Sequence, residues 1–247
     1  MKTPSSILLY FFIDCFLLVV SLNHIPSLLN RSTFPFAVER KNGRLVIEKI
    51  ADEDTLTVLR AGDMIAAVND SIITMPEQLE FISDNSSIGS SHKIRTIKNG
   101  SAEYCLVATV PYYPNLLYII VVCFVGITFL AVGFFVVWNR SADRIAHIFH
   151  WMMALIGTAI MMTWGSLEAK TLTVLATRSL FFLTYVFGIA SFYLFTKLYC
   201  TVTPRFIALR ITAVYLFSFI VSLVLIYYHL LAFSDQSLTA YAYFQRY

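Results

Sequence analysis

Between Glu103 and Arg140 the chain carries no charged residue. An α-helix needs about 20 apolar residues to cross the hydrocarbon of a bilayer. Asn115 to Trp138, "NLLYIIVVCFVGITFLAVGFFVVW", supplies them without interruption. Three more uncharged runs follow: Ile145 to Leu167 between Arg144 and Glu168, Ser179 to Thr196 between Arg178 and Lys197, and Ile211 to Phe233 between Arg210 and Asp235. A fifth, Ile7 to Leu22, opens the chain and contains Asp14. Lys2 ahead of that run is also the pattern of a secretory signal, but no small-x-small cleavage site follows. The reading is therefore an uncleaved helix extending to about Ile25.

The whole composition agrees with these spans. The chain is 58% hydrophobic and 13% charged, against about half and a quarter in soluble domains. A net charge of +3 gives no reason to expect nucleic acid. The four cysteines, Cys15, Cys105, Cys123 and Cys200, show neither CxxC nor Cys/His spacing, so no disulfide framework, metal site or cofactor is expected.

Basic residues in the short loops set the orientation. With the N-terminus inside, Arg140, Arg144, Lys197, Arg205 and Arg210 fall in inner loops, and Lys170 and Arg178 in an outer one. Tyr112, Tyr113, Trp138, Trp151, Tyr227 and Tyr228 cluster near span ends, which suits interfacial anchoring in the lipid bilayer. The polar segment 31–111 and the tail after the fifth helix are then expected outside.

That segment holds the soluble-type pattern. "RLVIEKI" (Arg44 to Ile50) alternates, and "DMIAAVN" is a short strand between turns. "PEQLEFISD" (Pro76 to Asp84) has proline at a helix start after Thr74, a candidate cap. "KIRTIKNGSAEYCLVATV" is two strands around Asn99-Gly100. The order is β, β, α, β-hairpin. In the turn before the second strand, Gly62 allows positive φ and Asp63 can hold backbone amides, while Ile65 and Val68 face a core.

"GRLVIEKIADEDTLTVLRAGDMIAAVNDSIITMPEQLEFI" resembles a bacterial PDZ domain over roughly residues 36–110. Gly62, Asp63, Ile65, Asn69 and Leu79 match the family's fold-defining positions, and Ile82 its helix. The resemblance implies that an extended peptide adds beside one strand, with its carboxylate held by the preceding loop. On this sequence it places the contacts at Lys41, Asn42, Gly43, Arg44, Leu45, Val46 and Ile47, with pairing along Leu45 to Lys49. The chain has one glycine where the family's loop is "GLGF"-like.

The expected fold is a mostly α-helical membrane protein with about five transmembrane helices and an inserted small α+β PDZ-like domain. It divides into a first helix (1–30), the extracytoplasmic domain (31–111), a four-helix bundle (112–233) and a tail (234–247).

Catalytic motifs are missing. No HExxH, G-x-S-x-G or Gly-rich phosphate loop occurs. His147 and His150 share a helix face but have no acidic partner nearby in sequence. Asp14 is the sharpest single residue, because a carboxylate in mid-membrane is costly and marks a functional site by default. Its candidate partners are Thr158, Thr163, Ser191 and Tyr193.

The order of parts is similar to the membrane sensor region of competence-type histidine kinases, and to related sporulation-type phosphatase receptors. This resemblance implies a non-enzymatic receptor in a bacterial inner membrane, compatible with a homodimer, whose cytosolic output domain lies elsewhere. The alternative is a membrane-anchored interaction protein that recruits peptides or envelope proteins. Four sequons, at Asn30, Asn69, Asn85 and Asn99, fall in the outer segment and are read as chance.

Overall fold

The computed structural model describes residues 4–51, 59–98, 100–163, 165, 172–200 and 207–235. Asn99 of the expected turn, Lys170, Arg205 and the tail beyond 235 lie outside them. The elements in chain order are α1 (Pro4–Leu22), α2 (Ile25–Leu29), β1 (Ser32–Thr33), β2 (Phe36–Lys41), β3 (Arg44–Ile50), β4 (Met64–Val68) and β5 (Ser71–Ile72). They continue with α3 (Pro76–Asp84), β6 (Ser91–Lys98), β7 (Ser101–Ala108), β8 (Val110–Pro111), α4 (Leu116–Asn139), α5 (Arg144–Met161), α6 (Leu172–Cys200) and α7 (Ile207–Asp235). The protein is mostly helical, and two compact units form, one of helices and one built mainly from residues 27–114.

Five helical segments are long and apolar enough to cross a membrane: Ile7–Leu29, Leu116–Asn139, Arg144–Met161, Thr173–Tyr199 and Leu209–Leu231. Their outward faces carry large apolar side chains, among them Phe12, Phe124, Phe135 and Phe217. Water would oppose that exposure and lipid favours it. Several boundaries differ from the sequence reading, and Lys197 and Arg210 lie inside α6 and α7. The third span stops at Met161, where Met162 and Thr163 close the helix with hydrogen bonds to Thr158 and Ile160 carbonyls. Arg178, expected in a loop, lies inside α6 and is buried.

Small residues set the helix packing. Gly126 and Gly133 on α4 face α5, and Gly157 on α5 meets the Gly126 carbonyl. Without side chains there the two backbones come close, which is how apolar helices associate when no hydrophobic force separates helix from lipid. α1 lies against both α4 and α5, where Leu17, Leu130, Ala154 and Met161 form a buried cluster.

The second unit is a sheet with the strand order β2-β3-β4-β6-β7, and β5 pairs with β4. A separate two-stranded ladder joins β1 to β8. Alternation decides the faces: Leu45 and Ile47 of β3 are buried while Arg44 and Glu48 are exposed. Ile65, Val68 and Leu79 complete the core with Ile94 and Val107. Leu79 comes from α3, whose first turn is held by Gln78. Its side-chain carbonyl accepts from the amides of Thr74 (2.7 Å) and Met75 (3.1 Å). The helix spans Pro76–Asp84 as expected, with Met75 and not Thr74 at the N-cap.

The turn residues do what their chemistry allows. Gly62, at φ +94, donates its amide to the Ile47 carbonyl, and Asp63 accepts from the Arg60 amide at 2.8 Å. Asn69 and Asp70 both take positive φ between the paired residues Val68 and Ser71, a mirror-image hairpin turn that asparagine and aspartate tolerate. The Asn69 side chain then accepts from the Lys93 amide at 2.9 Å, bracing β4 to β6.

Candidate binding groove

The sheet order leaves β2 paired on one side only, with β3. A strand edge of this kind offers unpaired amides and carbonyls to another extended chain. α3 packs against β1 and β2. Between them runs a groove of about 270 Å³. Thr33, Phe34, Phe36 and Val38 form one wall, and Pro76, Leu79, Glu80 and Ser83 of α3 form the other. Arg31 and Tyr112 also line it. Pockets for drug-sized ligands run from roughly 300 to 1,000 Å³. This one is at the lower limit, suited to a few side chains of an extended segment and too small for a large cofactor.

Arg31 organises one part of the groove. It is 3% exposed, yet it is a full charge. Its Nε donates to Asp84 Oδ1 at 2.8 Å and its Nη2 to Glu80 Oε1 at 2.6 Å. The guanidinium stacks on the Tyr112 ring, 3.8 Å from its centroid, and the Tyr112 amide donates to the Arg31 carbonyl at 2.9 Å. Burial works against the cation, but the Asp84 and Glu80 carboxylates outweigh it, so the guanidinium is held protonated more firmly than usual. Next to it, buried Ser32 donates its hydroxyl toward the Ser83 and Ser86 carbonyls. Among the residues lining the groove, Arg31 and Tyr112 are nearest in sequence to α2 and α4. Both are thus tied to the helix that walls the groove.

The residues expected to receive a peptide are placed elsewhere. Lys41 to Arg44 are the exposed tip of the β2–β3 hairpin. Asn42 (φ +51) and Gly43 (φ +77) make its two-residue turn, and Lys41 pairs with Glu39 at 2.8 Å. Leu45 and Ile47 point into the core. Leu45 and Val46 pair with β2 on one side and β4 on the other. Ile47 exchanges bonds with the Gly62 and Asp63 turn. β3 is therefore an inner strand there, with no edge for addition. None of residues 41–47 lines the groove. Asn-Gly flanked by alternating strands is a hairpin signal, and Asn42-Gly43 makes that turn here. The apolar pair Phe34 and Phe36, at the start of the edge strand, was the available pointer to the groove.

Asp14 is buried in α1. Ser191 meets the Tyr215 hydroxyl at 3.2 Å, and Tyr193 is exposed. The group beside Asp14 is instead His150, at 3.6 Å.

His92 lies under the groove, its ring edge-on to Phe34, with Nδ1 2.8 Å from the Asn69 amide nitrogen. Burial holds its pKa below the ordinary histidine value. The unfolded chain then takes a proton that the native domain resists, so stability falls as pH drops through about 6.5. A urea titration of the domain at several pH values should show this acid loss, and His92→Asn should flatten it.

No protein-family model matches the chain, and a search of curated proteins finds no match.

Proposed function

We propose that the chain is a membrane receptor module in which a PDZ-like domain, held on the non-cytoplasmic side, captures an extended peptide between β2 and α3. The observation that carries this reading is the unpaired edge of β2 facing α3 across an apolar groove. Backbone pairing would give affinity, and pockets for alternate side chains would give selectivity. The bacterial orientation with the domain outside rests on the basic residues Arg140, Arg144, Lys197 and Arg210 at the ends of the spans.

The Arg31 cluster favours a receptor over a passive anchor. Glu80 lines the groove and also holds Arg31, which follows the first membrane segment. A ligand that draws Glu80 or Arg31 into new contacts changes the setting of both strands that continue into the membrane. Such a ligand biases one arrangement only by its differential affinity for it. The output then passes to a cytosolic partner or domain.

The test is to pan a random peptide library on the full chain in lipid nanodiscs. Thr33 is half-exposed and lines the groove, so Thr33→Trp fills it without entering the core. Enriched peptides should lose at least tenfold in affinity on Thr33→Trp, about 1.4 kcal/mol. Lys41→Ala and Arg44→Ala should leave binding unchanged. Binding that ignores Thr33→Trp but needs Lys41 and Arg44 would return the site to the hairpin tip. A library that yields no binder at all would leave the domain as a spacer.

A further inference from the structure

The helical unit holds a second polar constellation that the groove does not use. Asp14 on α1 and His150 on α5 lie with Oδ1 and Nε2 3.6 Å apart, the one 8% exposed and the other 0%. The Asp14 carboxylate oxygens find no hydrogen-bond partner among the described residues, and the His150 ring finds only the Gly133 backbone. Both sit within segments long and apolar enough to span a membrane. Polar groups left in this state are expensive and are rarely idle.

The surroundings leave the pair to itself. Tyr10, one turn before Asp14, places its ring 4.7 Å from the His150 ring and edge-on to it. His147 on α5 directs Nε2 to the Ser141 carbonyl at 2.9 Å, and Trp151 stacks edge-on to both Tyr10 and His150. From α4 the Gly133 backbone faces the imidazole. That helix carries no charged residue, and its Tyr118 and Cys123 lie ten or more residues away from Gly133, about 15 Å along the axis. On α6, Tyr185, Tyr193, Lys197 and Tyr199 are exposed, and Arg178 acts electrostatically on His24 at the other end of α5.

We propose that Asp14 and His150 together form a binding site for one proton, and that its occupancy seats α1 against α5. The count follows from charge. With one proton between a carboxylate and an imidazole, the pair is net neutral, whichever atom carries it. Removing the proton to water leaves a net −1 in a site walled by Leu17, Ala154 and aromatic rings, and adding a second from water leaves +1. Either charge is disfavoured where water is excluded, and the two groups titrate as a unit. A single proton also supplies a hydrogen bond between the two side chains, drawing α1 onto α5.

Spin labels at the exposed positions Phe16 on α1 and Phe135 on α4 would read the seating of α1 in the full chain in nanodiscs. The wild-type distance should hold near neutral pH and lengthen on both the alkaline and the acid side. Asp14→Asn should remove the alkaline change, His150→Gln the acid change, and the double variant both. A flat wild-type profile, or a double variant that keeps either change, would overturn the proposal. If a single variant does not fold, infrared spectra of wild-type protein with ¹³C-labelled aspartate decide alone. A carboxyl band that changes in the same pH window as the distance supports the site, and a band that does not change there sinks it.

Discussion

Arg31→Met should destabilise the polar domain by about 3–5 kcal/mol, the usual cost of removing one partner from a buried ion pair. The loss is large because of what remains. Asp84 is 0% exposed and would be left as a buried carboxylate without its guanidinium. Tyr112 would lose its stacked cation, and the β1 segment one of its ties to α3. Glu80 is 39% exposed and can turn to water, so Glu80→Gln should cost far less. The same logic predicts rescue. Arg31→Met combined with Asp84→Leu replaces charges with apolar groups of similar size and should recover much of the loss, because a buried pair owes little net stability to being charged. Cys105 gives the readout. It is half-buried against the core and is the only cysteine of the segment 31–111. Its rate of thiol labelling in urea, with the other three cysteines replaced, reports opening of the domain.

In the helical unit, a large effect of a one-carbon change is expected at Gly157. A Cβ there would lie 2.8 Å from the Gly126 carbonyl oxygen and 2.8 Å from the Phe129 Cβ. Neither atom is the end of a flexible side chain, so α4 and α5 must move apart. Gly157→Ala should cost about 1–3 kcal/mol, and Gly157→Val more. Gly188→Ala is the control. Its new carbon meets the Ile156 side chain at 3.1 Å, a contact that a small shift relieves. Thermal unfolding in nanodiscs should therefore rank the variants Gly188→Ala, Gly157→Ala, Gly157→Val in order of increasing damage. Equal effects would mean that the α4–α5 contact is looser than its glycines imply.

The helices could be read from sequence because long uncharged apolar runs have few other uses, as Leu116 to Asn139 shows ahead of Arg140. The turn at Gly62 and the core positions Ile65, Val68 and Leu79 were legible for a similar reason: local chemistry and period determine them. The groove was not. Its walls come from residues 33–38 and 76–83, and which strand lies at the sheet edge depends on the order of pairing, which no local pattern carries. The "KNGR" stretch was singled out through the PDZ resemblance, and its Asn-Gly makes the hairpin turn. Long-range polar pairs were hidden altogether. Arg31 meets Asp84 across 53 positions, and His150, which had no acidic neighbour in sequence, finds Asp14 on the first helix.

The central claim is that the edge of β2 beside α3 is where a ligand is held. It is tested most directly with a photo-crosslinking amino acid, placed in separate full-length proteins at Thr33 in the groove and at Arg44 on the hairpin tip. Each is irradiated in nanodiscs with the peptides enriched from the library. The account predicts crosslinked peptide at position 33 and none at 44. Crosslinking at 44 alone would contradict it.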